Sequence, residues 1–166
     1  MGEAYRFKCS RCGKEYSASW GIGFAFPDVY ADTVKKIVAG EYGSEWKRIF
    51  ECEKYVAVNA DTYVYVCKRC GGWKAEKDLS LYVPRDLNEL KKKYELDSIE
   101  ELSEREWVME WDLREEYRVL RRRIHLCEKC KCAMHKSSYN ELNALSCPDC
   151  GGTPEEPGYY NMLNWD

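Results

Sequence analysis

Eight of the ten cysteines in this chain of 166 residues fall into four C-x-x-C pairs: Cys9/Cys12, Cys67/Cys70, Cys127/Cys130 and Cys147/Cys150. Two residues between ligands let one tight turn offer both sulfurs to a single metal ion. Backbone N–H groups in such a turn point at the thiolates and offset their charge. A glycine just after the second cysteine helps, because it accepts positive φ without a side-chain clash. Gly13, Gly71 and Gly151 hold that place in three pairs, and Lys131 holds it in the remaining one. The last pair, Cys147-Pro148-Asp149-Cys150-Gly151-Gly152, carries a strong knuckle signature.

Cysteine-rich chains are either disulfide scaffolds of oxidising compartments or metal proteins of reducing ones. Residues 1–8 contain no apolar stretch and no small-residue cleavage site, so no secretory leader is read there. The expected compartment is the reducing cytoplasm, with the thiols serving as metal ligands. No apolar run approaches the ~18 residues of a membrane span, and the mean hydropathy is −0.66, so no membrane partner is expected. Lys and Arg number 26 against 29 Asp and Glu, a net charge of −3, which disfavours a general nucleic-acid coat.

Four pairs make two tetrahedral Cys₄ sites, each suited to one Zn²⁺. Cys127/Cys130 and Cys147/Cys150 are separated by the sixteen residues 131–146, within the C-x₂-C-x₁₅₋₂₀-C-x₂-C spacing of a zinc ribbon. They are expected to share one zinc. Cys9/Cys12 and Cys67/Cys70 enclose residues 13–66 and are expected to share the second, as a ribbon with a long insertion. The alternative is an N-terminal pair sharing its metal with a C-terminal pair.

In these knuckles the chain resembles the zinc-ribbon superfamily, with its rubredoxin-like C-x-x-C turns, over about residues 5–83 and 124–152. The resemblance implies a fold element and a metal, not an activity.

The expected fold class is α+β: two Cys₄ zinc ribbons, the first with a helical and hairpin insertion, bridged by a helical segment. Residues 1–84 form the N-terminal ribbon with its insertion at 13–66, 85–124 a helical connector, 125–152 the C-terminal ribbon and 153–166 an aromatic tail. Within the insertion, Asp28 caps a helix over 29–39 that Gly40 stops. Ser44 starts a second helix, with Trp46, Ile49 and Phe50 inward and Cys52 at its end as a small buried hydrophobe. The runs 55–58 and 63–66, joined by Asn59-Ala60-Asp61-Thr62, read as a hairpin, followed by strands over 73–77 and 79–83. Asp86 with Glu89 caps a helix, and Ser98 with Glu101 forms a capping box for a longer one over 99–123.

Charge by segment places any nucleic-acid surface at the N-terminal ribbon. Residues 1–84 carry a net +2, 85–125 a net −2 and 126–166 a net −3. Arg6, Lys8, Arg11, Lys14, Lys68 and Arg69 surround the first two knuckles, where they balance the negative thiolate centres. Arg121-Arg122-Arg123 is expected at a helix C-terminus, favoured by the helix dipole.

A catalytic zinc keeps one position open for water, whereas four cysteines close the site. The two histidines, His125 and His135, flank the C-terminal ribbon but are not needed as ligands. No catalytic residue is assigned. An HNH nuclease would need a second adjacent His and a closing residue that are absent. The expected function is that of a non-enzymatic interaction or adaptor protein with two structural zinc ions. It would act through a protein partner, with nucleic acid less favoured, by way of the Trp107/Trp111 stripe and the aromatic tail. The alternative is a thiol-based redox or metal-responsive regulator: four thiolates can hold iron, and Cys132 adds a fifth thiol beside Cys130.

Overall fold

The structure is a computed structural model describing residues 2–104, 106–156 and 159–161. The fold is α+β, as the sequence indicates: helices accompany three small antiparallel sheets. The chain divides into two units that interleave along the sequence. Unit 1 comprises Met1–Phe24, Asp61–Asp78 and Ile124–Asp166, and unit 2 comprises Ala25–Ala60 and Leu79–Arg123. All four C-x-x-C pairs therefore lie in unit 1, so the boundaries follow packing and not the linear order ribbon, connector, ribbon.

Unit 1 is built from hairpins. β1 (Glu3–Lys8) and β2 (Glu15–Trp20) pair antiparallel around the first knuckle, and β9 (Tyr159–Asn161) adds to the other edge of β1. β4 (Thr62–Val66) and β5 (Trp73–Lys77) pair around the second knuckle, and β8 (His135–Lys136) pairs with β4. Period-two alternation sends Tyr5 and Phe7 of β1 and Tyr16 and Ala18 of β2 into a shared core with Val64, Leu142 and Leu145. The directly opposed Phe7 and Tyr16 stack with centroids 5.0 Å apart, the aromatic cross-strand contact that stabilises such pairs.

Unit 2 holds the longer helices. α1 (Phe26–Ala39) starts with Pro27 in its first turn and ends at Gly40, whose φ of 86° closes it in the left-handed conformation. Asp28 lies in the first turn of α1, not at its cap. α2 (Ser44–Cys52) buries Trp46, whose indole donates to the Leu79 carbonyl at 2.6 Å. Cys52 is exposed, contrary to the expectation of a buried thiol. β3 (Ala57–Val58), β6 (Leu81–Pro84) and β7 (Tyr117–Arg121) form the sheet, in the order β3-β6-β7. Ile37, Val58 and Leu81 are fully buried at the centre of this unit.

Two expectations change here. The hairpin over 55–58 and 63–66 does not form. Asn59 bonds to Ser80 within unit 2, whereas Thr62 bonds to Gly21 within unit 1, so the two runs join different sheets. The long helix over 99–123 is also absent. Ser98 N–H does donate to the Glu101 carboxylate at 2.9 Å, but the turn it caps is a 3-10 turn, Glu100–Glu104. α3 (Leu87–Lys93) precedes that turn with Asp86 as its cap, as expected, and α4 (Glu110–Glu116) follows it. The remaining residues become β7, because pairing with β6 outweighs a helical pattern.

The arginine run accordingly sits at the end of a strand, and two of its members have internal work. Arg121 pairs with Glu45 at 2.9 Å. Arg123 lies over the Trp46 ring at 4.8 Å and donates to the Tyr42 carbonyl. Trp107 and Trp111 share no helical stripe: Trp107 precedes α4 and packs edge-on against Phe26 at 5.4 Å, and Trp111 is an exposed residue of α4. Of the aromatic tail, residues 157, 158 and 162–166 lie outside the described residues.

Candidate metal centres

The four knuckles share one backbone design. In each, the N–H of the residue after the second cysteine donates to the carbonyl of the first: Gly13 to Cys9, Gly71 to Cys67, Lys131 to Cys127 and Gly151 to Cys147, all at 2.9 Å. The N–H of each first cysteine bonds onward, to the carbonyls of Lys14, Gly72, Cys132 and Gly152. Gly13, Gly71, Lys131 and Gly151 have φ between 58° and 69°. Lys131 thus adopts the left-handed conformation that glycine takes in the other three turns, at a cost of about 1 kcal/mol. The first cysteine of every pair is buried, and the second is exposed or half-buried.

The knuckles assemble into two tetrads. Cys9, Cys12, Cys147 and Cys150 form centre A; Cys67, Cys70, Cys127 and Cys130 form centre B. In each, all four Sγ atoms lie within 4.8 Å of one another. Close sulfur pairs are 3.4–3.8 Å apart in centre A and 3.4–3.9 Å in centre B. A disulfide would need about 2.05 Å. Four sulfurs placed tetrahedrally at about 2.3 Å from one zinc ion sit about 3.8 Å apart, so the spacing fits a tetrathiolate metal site.

This grouping corrects the expected pairing. All eight anticipated cysteines are brought into tetrads, but the outermost pairs join each other and the inner pairs join each other. Strand pairing decides between otherwise similar knuckles. After Cys150 the chain runs antiparallel beside β1: Ser10 N–H donates to Thr153, Pro154 bridges Cys9, and Glu155 N–H donates to Lys8. After Cys130 it runs instead beside β4, where Lys136 lies opposite Tyr65 and Ser137 N–H donates to Val64. Residues 131–146 therefore carry the chain from centre B to centre A. They contain α5 (Tyr139–Leu142), started by a capping box of Ser138 and Glu141. Tyr16 Oη donates to the Leu145 carbonyl at 2.6 Å and the Trp73 indole to that of Ser146 at 2.7 Å, which fixes the approach to the last knuckle.

The electrostatics of the tetrads call for a cation. The Cys12 N–H draws the Cys9 thiol down to about 6, against burial and with help from the Arg11 N–H. The Cys130 N–H does the same for Cys127, again to about 6. Cys12 is lowered by the Lys14 N–H, yet the surrounding thiols of Cys150 and Cys9 push it up to about 12. Cys70 is likewise raised to about 11, although the Gly72 N–H lowers it. A thiolate forms readily at Cys9 and at Cys127, while one at Cys12 or Cys70 is resisted by the neighbouring thiols, a conflict that a bound divalent ion removes.

Neither histidine belongs to a tetrad. His125 is buried, with Nδ1 2.9 Å from a Glu76 oxygen, Nε2 3.2 Å from the Asp78 carbonyl and its ring stacked on Tyr65. His135 Nε2 lies 2.8 Å from Glu141. The basic residues near centre A are engaged as charge balance: Lys8 with Glu155, Lys14 with Asp149, and Arg11 with the Cys150 carbonyl. Arg69 contacts the sulfur of Cys132 at 3.7 Å.

Gly152 is a site residue that sequence reasoning missed. A Cβ there would fall 2.9 Å from Cys9 Sγ and 2.9 Å from Arg11 Cβ, so only glycine lets the two knuckles of centre A close on one metal. The signal was the Gly-Gly doublet after Cys150. Gly152→Ala is expected to weaken metal retention at centre A by roughly tenfold or more, the scale of damage to a metal's supporting shell. Centre B should be unaffected, as read by titration with a chromophoric chelator. Two equal losses, or none, would contradict this.

Searches of family models, of curated proteins and of solved structures return no match for this chain.

Proposed function

We propose that the chain is a non-enzymatic, zinc-binding interaction protein of the cytoplasm. Two structural zinc ions would hold unit 1 in shape, and the protein would act through a protein partner, with nucleic acid the less favoured ligand. One observation carries this reading: in each tetrad every coordination position is filled by a cysteine in a knuckle of the same design. A site closed in this way leaves no position for a reacting water. Metal analysis of the purified protein tests it, with two zinc ions per chain expected. One ion or none, or a red iron-loaded preparation, would overturn it.

The second reading, a thiol-based regulator, rests on Cys132, whose sulfur lies beside Arg69 next to centre B. It requires that mild oxidant release zinc and that Cys132→Ser suppress the release. Unchanged release in that variant removes Cys132 as the switch.

A further inference from the structure

The surroundings of the two centres differ in charge. At centre A, Arg11 and Lys14 are accompanied by Asp149, and both cations are engaged within the site. At centre B the knuckle turns carry Lys68, Arg69, Lys129 and Lys131 against the single carboxylate of Glu128. All five are exposed. Among the described residues, Lys68, Lys129 and Lys131 have no ion-pair partner within 4.0 Å. A divalent ion held by four thiolates carries a formal charge of about −2. The cations at centre B more than offset it, so this end of unit 1 is positive although the chain as a whole is acidic.

The extended segment entering the third knuckle adds a second feature. Residues 124–127 alternate exposed and buried: His125 and Cys127 point inward, while Ile124 is 69% and Leu126 49% exposed. Leu126 forms an isolated antiparallel bridge with Ala133 across the knuckle, and Ala133 is two residues from Lys131. An aliphatic pair so open to water, beside a cluster of unengaged cations, has the make-up of an interface with an apolar centre and a charged rim.

We propose that the face formed by Ile124, Leu126, Lys68, Arg69, Lys129 and Lys131 docks an acidic, apolar peptide segment of a partner protein. Carboxylates would meet the lysines while leucine- or isoleucine-type side chains cover Ile124 and Leu126. Charge complementarity selects an anionic partner. The apolar residues on this face are aliphatic, which favours a peptide over a single-stranded nucleic acid, whose bases stack on aromatic rings. The inference rests on reading the chain as a binding protein and gives that reading a surface and a partner chemistry.

The test uses the full zinc-loaded chain and three fluorescent probes in anisotropy titrations: a twelve-residue peptide alternating Glu and Leu, the same peptide with Gly for Leu, and an oligothymidylate. The Glu/Leu peptide should bind most tightly and weaken with added salt. Lys68→Glu with Lys129→Glu should cost about tenfold or more, and Leu126→Ser several-fold, with two zinc ions retained in both variants. Lys35→Glu, at an exposed position of α1 in unit 2, outside the metal centres, should change nothing. Tighter binding of the oligothymidylate, equal binding of the two peptides, or indifference to the centre B variants would overturn the proposal. Tight peptide binding that survives those variants would sink this surface while leaving the binding-protein reading intact. Binding of none of the probes would sink both the surface and its partner chemistry.

Discussion

The double variant Cys147→Ser/Cys150→Ser should lose one zinc ion and expose the cysteines at the opposite end of the chain. In the nested arrangement Cys9 and Cys12 share centre A with this pair. Their thiols should become open to alkylation, while Cys67, Cys70, Cys127 and Cys130 stay protected around the remaining ion. Pairing by sequence proximity predicts the reverse, with Cys127 and Cys130 released and Cys9 and Cys12 protected. Loss of one structural zinc removes on the order of 10 kcal/mol of folding free energy. The effect should therefore extend beyond the ligands to the strand pairing that centre A draws together: β1 with β2, and the run of residues 153–155 beside Lys8–Ser10. Mass spectrometry of alkylated peptides reads the outcome residue by residue.

The second large effect concerns full metal removal. Both centres lie in unit 1, whereas α1, α2, α3 and α4 all lie in unit 2, which has its own core around Ile37, Val58 and Leu81. Among the described residues, the only helix of unit 1 is the four-residue α5. Excess chelator at neutral pH should therefore abolish the dispersed amide resonances of unit 1, while most of the helical circular dichroism persists. Unit 1 has little else to replace the metal: its shared core includes Cys9 and Cys147 themselves, so unligated thiolates would sit within it. Acid should act in the same direction, because protons compete with zinc for the thiolates. A proportional loss of helix and sheet on chelation would show that the two units depend on the metals equally.

The sequence disclosed the ligands and concealed their partners, for a physical reason. A C-x-x-C turn is a local object, closed by its own hydrogen bonds and a left-handed residue, so Gly13, Gly71 and Gly151 announce it. Which two turns share an ion depends on distant strand pairing: Pro154 beside Cys9, and Lys136 beside Tyr65. The sixteen-residue spacing between Cys130 and Cys147 satisfied a ribbon rule, yet the segment is occupied by β8 and α5 and leads to the other centre. The same limit explains residues 117–121. Their apolar spacing reads as a continuing helix, and only β6, more than thirty residues earlier, makes them a strand. Short capped elements such as α3, and the glycine stop of α1, were legible because their determinants lie within a few residues.

The central claim is the nesting of the two centres, and NMR-active cadmium tests it most directly. With cadmium in place of zinc, scalar couplings between each metal nucleus and the cysteine β-protons identify the ligands of each ion. One cadmium resonance should couple to Cys9, Cys12, Cys147 and Cys150, and the other to Cys67, Cys70, Cys127 and Cys130. A single cadmium coupled to both Cys9/Cys12 and Cys67/Cys70 would contradict the nested arrangement.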